Sequence, residues 1–235
     1  MTRPAVVLLS GGLDSAVTMA LAREEGRSVY ALTILYGQRH AWEVEAARKL
    51  ASRQGAALHR VLPLDISSIA VSALTGHSPV PREASSPAGA ERGPAIPSTY
   101  VPARNTILLG LALAWTESLG GEEIFIGVNA VDYSGYPDCR PEFLRAFESL
   151  ANLATKAGVE RKSSFRVRAP LIQLSKAQII REGHRLGVDF SQTHSCYDPP
   201  APAAACGSCD SCRIRRDGFR QAGIPDPTRY VLETN

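Results

Sequence analysis

The order of apolar and polar positions along this chain predicts strands and helices in alternation. Positions 5–10 form a continuous apolar run closing on Ser10, the pattern of a strand buried on both faces. Leu13, Ala16, Val17, Ala20 and Leu21 then recur at helical spacing, which predicts a helix over 13–25 with Gly26 placed to stop it. A strand over 29–35 follows, then a helix over 41–54 ending at Gly55, then a strand over 58–62. Further on, 107–119 has the pattern of a helix, 123–128 of a strand and 165–167 of a short strand. Ser175 and Gln178 have the spacing of a capping box, opening a helix over 175–186 that Gly187 closes.

Strand–helix–strand alternation of this kind requires right-handed crossovers. The fold class expected is therefore α/β, a doubly wound parallel sheet with helices on both faces. Two segments break the alternation. Positions 75–98 are rich in Pro, Ser, Ala and Gly without any period, and read as either a lid or a disordered insertion. From 191 onward cysteine and proline accumulate. The expected organisation is a nucleotide-binding α/β domain over 1–190 followed by a small cysteine-rich segment over 191–235.

Composition narrows the classes of function. A chain of 235 residues with 44% hydrophobic and 21% charged residues has ordinary globular proportions, so disorder is not indicated. The net charge of +3 is far from the clustered basic face of a protein that grips nucleic acid by its phosphates, and no nucleic-acid partner is expected. Anionic small molecules remain compatible with it. No apolar stretch is long enough to span a membrane, and the run at 5–9 is too short for a signal-peptide core. A cytoplasmic protein without a membrane partner is expected.

The chemistry starts at Ser10-Gly11-Gly12-Leu13-Asp14-Ser15, between the first strand and the first helix. Glycines let the backbone approach a phosphate, and the helix N-terminus offers free N–H donors. Ser10 and Ser15 can add hydroxyl donors, and Asp14 can help hold a magnesium ion bridging the phosphates of ATP. The loop lacks the Gly-Lys-Ser/Thr ending of a Walker A motif and the spacing of a dinucleotide fingerprint. A plain two-glycine turn is the alternative, and the position between strand and helix argues against it.

Four of the five cysteines, Cys196, Cys206, Cys209 and Cys212, lie at Cys-x9-Cys-x2-Cys-x2-Cys spacing. Four thiolates suit a tetrahedral structural zinc. The x2-x2 run also opens some iron–sulfur motifs, and that alternative stays open on spacing. Cys139 stands apart and reads as a small buried hydrophobe without a catalytic role.

The loop resembles that of the PP-loop ATP pyrophosphatase superfamily, with its Ser-Gly-Gly-x-Asp-Ser signature. Further blocks narrow the resemblance. They are Tyr36-Gly-Gln-Arg-His40, Tyr100-Val-Pro-Ala-Arg104-Asn105, Gly127 through Asp132-Tyr133-Ser-Gly-Tyr-Pro-Asp138-Cys-Arg140 to Phe143, and Ser195-Cys-Tyr-Asp198 with Ala205 to Arg213. Together they resemble the 7-cyano-7-deazaguanine synthase family of the queuosine pathway, from Ser10 to about Phe219. The chain departs from many members at Leu13 (Gln), Ala103 (Gly), and at Leu35 and Pro141, where acidic residues occur.

The resemblance implies an adenine nucleotide alpha hydrolase-like fold and an ATP-dependent carbon–nitrogen ligase. It implies 7-carboxy-7-deazaguanine and ammonia as substrates, with acyl-adenylate and amide intermediates, and it implies a homodimer. Ser10, Gly11, Gly12, Leu13, Asp14 and Ser15 would hold the nucleotide. Asp132 and Tyr133, with Asp138 and Arg140 of the same block, would hold the deazaguanine. Asp14, Arg104, Asp132 and Lys176 are the candidate catalytic residues, the cations offsetting phosphate or carboxylate charge. For each cation the alternative is a surface residue or structural ion pair. Three other activities compete: a PP-loop tRNA-modifying enzyme inserting sulfur or an amino acid, a nitrile- or amide-forming relative with another substrate, and a non-catalytic nucleotide-binding module.

Overall fold

The computed structural model describes residues 2–38, 42–76, 80, 96–129, 135–200 and 204–231. Its centre is a five-stranded parallel sheet of β1 (Pro4–Leu8), β2 (Ser28–Leu35), β3 (Leu58–Pro63), β4 (Glu123–Phe125) and β5 (Arg166–Arg168) in the order β3-β2-β1-β4-β5. Successive side chains of a strand point to opposite faces, so β1 supplies two cores. Ala5 and Val7, followed by Leu9, join one cluster, while Val6 and Leu8 join the other.

The first core is closed by α1 (Leu13–Glu24), α2 (Trp42–Arg53) and α6 (Lys176–Arg185), through Ala16, Val17, Ala47, Leu50, Ile179 and Ile180. The second is closed by α3 (Arg104–Ser118) and α4 (Pro141–Ala154), through Leu109, Leu113, Leu144 and Phe147. A one-turn α5 (Lys156–Val159) follows α4 and is capped by the Thr155 hydroxyl. The capping box at Ser175 and Gln178 is present at the start of α6. The cysteine-rich segment contains α7 (Asp210–Ala222), whose Phe219 stacks edge-on against Phe190 at 5.2 Å in the first core.

The expected elements are found with ends shifted by a few residues, and the doubly wound α/β class holds. Three of the described helices are additions to the sequence-based expectation: α4, the one-turn α5 and α7. β4 ends at Phe125 instead of 128: the Ile126 amide still donates to the Arg168 carbonyl at 2.9 Å, and Ile126, Gly127 and Val128 line a cleft. Most of the 75–98 insertion lies outside the described residues. Among the described residues, no helix is long and apolar enough to cross a membrane.

The chain runs outward from β1 to β3 on one side and returns to β4 on the other, so strand order reverses between β1 and β4. Doubly wound sheets bind ligands at the carboxyl ends of the strands beside such a reversal. There the turn after β4 presses against the start of α1. A Cβ on Gly127 would stand 3.1 Å from the Ser15 amide nitrogen.

Candidate active site

A cleft of about 270 Å³ opens at this switch point. Its floor is the loop Ser10–Ser15 and the ends of β1 and β2. Its walls are Tyr36, Glu43, the start of α3 at Arg104 and Asn105, Tyr136, and the stretch His194–Tyr197.

The loop is shaped by its own hydroxyls. Ser10 Oγ accepts from the Gly12 amide at 3.2 Å and donates to Ser15 Oγ at 3.1 Å, and Ser15 Oγ donates to the Gly12 carbonyl at 2.9 Å. Gly11 has φ +91°, a left-handed conformation that disfavours a side chain. Space forbids one as well: a Cβ there would overlap the Glu43 carbonyl and stand 2.9 Å from the Ala47 amide. The first turn of α2 is thus seated directly on the Ser10–Ser15 loop.

Asp14, on the first turn of α1, accepts from Lys176 Nζ on both oxygens at 2.7 Å and from Asn129 Nδ2 at 3.2 Å. Lys176 is the first residue of α6, so the capping box at Ser175 sets its position. A carboxylate has about four acceptor sites, so Asp14 can keep its lysine and still contribute to a magnesium ion carried in with ATP.

Arg104 donates to Tyr36 Oη at 3.3 Å, and its guanidinium carbon lies 5.4 Å from the centre of that ring. Burial works against its charge, but Tyr36, Asp138 and Tyr197 around it hold the guanidinium more firmly protonated than usual. Burial likewise raises the Tyr36 phenol, so it stays neutral in the range of interest.

The remaining expected residues fall in three groups. Asp138 is buried and accepts the Asn105 backbone N–H at 3.0 Å, which places its charge at the N-terminus of α3. Arg140 is exposed at the cap of α4 and does not line the cleft. Asp132 and Tyr133 lie outside the described residues. Cys139 is buried and accepts from Asn105 Nδ2 at 3.3 Å. Sequence reasoning passed over Glu43 and His194. The first looks like an ordinary acidic residue in a first helical turn, and the second stands one residue before the Ser195–Asp198 block.

The four expected cysteines converge. Their sulfurs all lie within 4.8 Å of one another, and all four side chains are buried. Cys206 and Cys212 Sγ are 3.9 Å apart. Tetrahedral zinc–sulfur bonds of about 2.3 Å would place sulfurs roughly 3.8 Å apart, so the set fits one metal ion with small adjustment. The Cys206 amide points at Cys196 Sγ at 3.3 Å and the Cys209 amide at Cys206 Sγ at 3.4 Å, contacts that favour thiolate ligands.

This segment is also part of the cleft. Ser195, Cys196 and Tyr197 line it, and the His194 amide donates to the Gly11 carbonyl at 2.9 Å. Arg215 on α7 secures the same stretch from behind. It is almost fully buried, donates to Thr193 Oγ1 at 2.7 Å and to the Phe190 carbonyl at 3.1 Å, and pairs with Asp226 at 3.1 Å.

Comparison with known proteins agrees with this geometry. Solved structures with the same fold include an NMN synthetase from Francisella tularensis, at TM-score 0.51 and 14% identity over 95% of this chain and 79% of that one. A 4-thiouridine synthetase bound to RNA and ATP matches at TM-score 0.50 and 19% identity, over 94% of this chain and 50% of that one. Sequence relatives are far nearer. The 7-cyano-7-deazaguanine synthase of Xanthomonas axonopodis pv. citri is 60% identical over 98% of this chain and 99% of its own length. That of Syntrophotalea carbinolica is 58% identical over 99% of each. The family described as queuosine biosynthesis protein QueC matches residues 4–223. With the Ser-Gly-Gly-Leu-Asp-Ser loop, the four-thiol cluster and 58–60% identity over nearly the full length all in agreement, the chain belongs to the QueC family, the 7-cyano-7-deazaguanine synthases of queuosine biosynthesis.

Proposed function

We propose that this chain converts 7-carboxy-7-deazaguanine and ammonia to 7-cyano-7-deazaguanine in the cleft above the sheet, consuming two ATP. The single observation that carries the reading is 60% identity to a synthase along nearly the whole of both chains. The cleft supports it, because the Ser10–Ser15 loop, Arg104 and the Asp14–Lys176 pair meet at the carboxyl end of the sheet.

A carboxylate resists attack by ammonia because its oxygen leaves poorly. Transfer of AMP from ATP makes that oxygen a good leaving group, and ammonia then displaces AMP to form the amide. A second transfer to the amide oxygen, followed by loss of AMP, leaves the nitrile. No side chain need act as a nucleophile, so catalysis rests on positioning and on charge stabilisation. The Ser10–Ser15 loop would hold the pyrophosphate portion, with the amides at the start of α1 as donors. Asp14 would hold the magnesium ion, which when bound offsets phosphate charge, and Lys176 would stand beside the bridging oxygens. Arg104 would face the substrate carboxylate or the phosphate that joins it. Asp132 and Tyr133 would read the deazaguanine edge, with Asp138 and Arg140 supporting that block. Zinc is assigned to the four thiols as a structural ion.

The test is incubation of the purified protein with magnesium-ATP, ammonium and the acid, with products read by mass spectrometry. Amide appearing before nitrile, with AMP and pyrophosphate released, is the expected result. Absence of pyrophosphate release with this acid would overturn the substrate assignment and return the site to the tRNA-modifying alternative.

A further inference from the structure

Ammonia is the one reactant for which the residues above provide nothing. At neutral pH it exists mainly as ammonium, which has no lone pair and cannot attack an acyl-adenylate. The cleft, meanwhile, presents Arg104 in its wall and Lys176 behind Asp14, and a cationic nitrogen donor needs the opposite charge.

Among the described residues that line the cleft, two are acidic, Asp14 and Glu43. Asp14 is already committed, with both oxygens on Lys176 Nζ at 2.7 Å. Glu43 is placed differently. It rises from the first turn of α2, and its carbonyl rests against Gly11, so its position is tied to that of the phosphate loop. Among the described residues, Arg104 from α3 and Tyr36 just past the end of β2 are ionisable groups that act on it across the cleft. His194 also lines the cleft, but a neutral imidazole offers no charge to a cation and a protonated one repels it.

We propose that Glu43 is the proton acceptor for the nitrogen donor: its carboxylate draws ammonium into the cleft and releases it there as ammonia. This rests on the ligase reading above. In the first half-reaction one N–H proton passes to Glu43, and the freed lone pair forms the C–N bond. The C–O bond to phosphate breaks, its electron pair leaves on AMP, and the extra proton on nitrogen goes to water. In the second half-reaction the adenylated amide loses one proton to solvent, giving the imidate. Its last N–H proton then passes to Glu43 as the C–O bond breaks, AMP departs with that electron pair, and the third C–N bond forms. Between the two steps Glu43 returns its proton to solvent through the open side of the cleft.

The acidity of the group suits the task. Burial pushes the Glu43 carboxyl up to about 7, with the neighbouring Arg104 opposing the rise. An acceptor near the working pH is the most effective compromise between being ionised and being basic.

The experiment compares the wild-type chain with Glu43→Gln and Glu43→Asp at saturating magnesium-ATP and acid, titrating ammonium from pH 6.5 to 9. Amide and nitrile are read by mass spectrometry and ATP–pyrophosphate exchange is measured in parallel. Hydroxylamine, largely uncharged in this range, serves as a nucleophile that needs no prior deprotonation. Glu43→Gln is expected to lower ammonium-dependent product by about 100-fold or more. Its residual rate should climb with free ammonia, losing the inflection near neutrality. Exchange and hydroxamate formation should fall far less, and Glu43→Asp should recover part of the ammonium rate. If Glu43→Gln lowers exchange and hydroxamate as much as amide, Glu43 merely supports the phosphate loop and the proposal fails. It also fails if the ammonium dependence is unchanged. A wild-type chain that makes neither amide nor nitrile would sink the ligase reading first, and this inference with it.

Discussion

Ala103 caps α3 with φ 54° and ψ 19°, a left-handed conformation for a residue that has a Cβ. Its amide is held by the Tyr100 hydroxyl at 3.1 Å, and the turn brings Arg104 into the cleft. A left-handed alanine costs about 1 kcal/mol relative to glycine. Ala103→Gly is therefore expected to raise Tm by about 2–4 °C in a thermal melt, with activity retained. Glu43 leads to a second expectation at this scale. Its folded value of about 7 lies above the ordinary 4.5, so between those pH values the folded chain binds more protons than the unfolded one. Stability contributed through this group is present at low pH and is lost as pH rises toward 7. Glu43→Gln should then stabilise the nucleotide-free protein at pH 8, by about 3 kcal/mol at most, and the gain should vanish near pH 4.5. Urea denaturation at the two pH values measures it.

Among the elements, α6 and α7 carry the site in tandem. They meet at Gly218, where a Cβ would stand 2.5 Å from Lys176 Cγ and 2.9 Å from Ile180 Cδ1. The aliphatic stem of Lys176 is thus clamped while its ammonium reaches Asp14. Gly218→Val is expected to cost about 1–3 kcal/mol through overpacking. It should also raise the KM for ATP, because the wedge pushes on Lys176, and steady-state kinetics beside a denaturation curve would separate the two effects. β1, β2, β4 and α1 were legible in the sequence because strands with buried interiors are plain apolar runs and α1 keeps its period. α7 was not, since its inner face includes the charged Arg215 and Gly218 in place of large apolar groups. α4 does carry a period in Leu144, Phe147 and Ala151, but its first residues belong to the block from Gly127 to Phe143, whose polar and aromatic composition masks the start of a helix. The phosphate loop and the thiol cluster were legible because each is contiguous. Glu43 was not, because only the fold of α2 over Gly11 brings it to the cleft.

At the scale of the whole molecule, the metal segment and the sheet are one construction. Phe219 enters the core beside Phe190, Arg215 fastens Thr193, and Ser195 to Tyr197 wall the cleft. Stripping the metal with a chelator is expected to loosen this wall, lowering ATP affinity by tenfold or more, about 1.4 kcal/mol. Helical content should fall by roughly the 13 residues of α7 while the sheet persists. Calorimetric titration with ATP and far-ultraviolet circular dichroism, before and after metal is restored, would check both. Unchanged ATP affinity in the stripped protein would show that the wall stands without its ion.

The hydrogen bond from the His194 amide to the Gly11 carbonyl joins the glycine loop after β1, proposed here to hold phosphate, to the cysteine segment proposed to hold metal. Coupling between two binding events is reciprocal, so whatever the metal adds to nucleotide affinity, nucleotide must add to metal retention. The working enzyme, filled with ATP, would hold its ion against competing cellular thiols, while the idle one would release it sooner. In a cell short of zinc, the loss would fall first on the copies with no substrate to process.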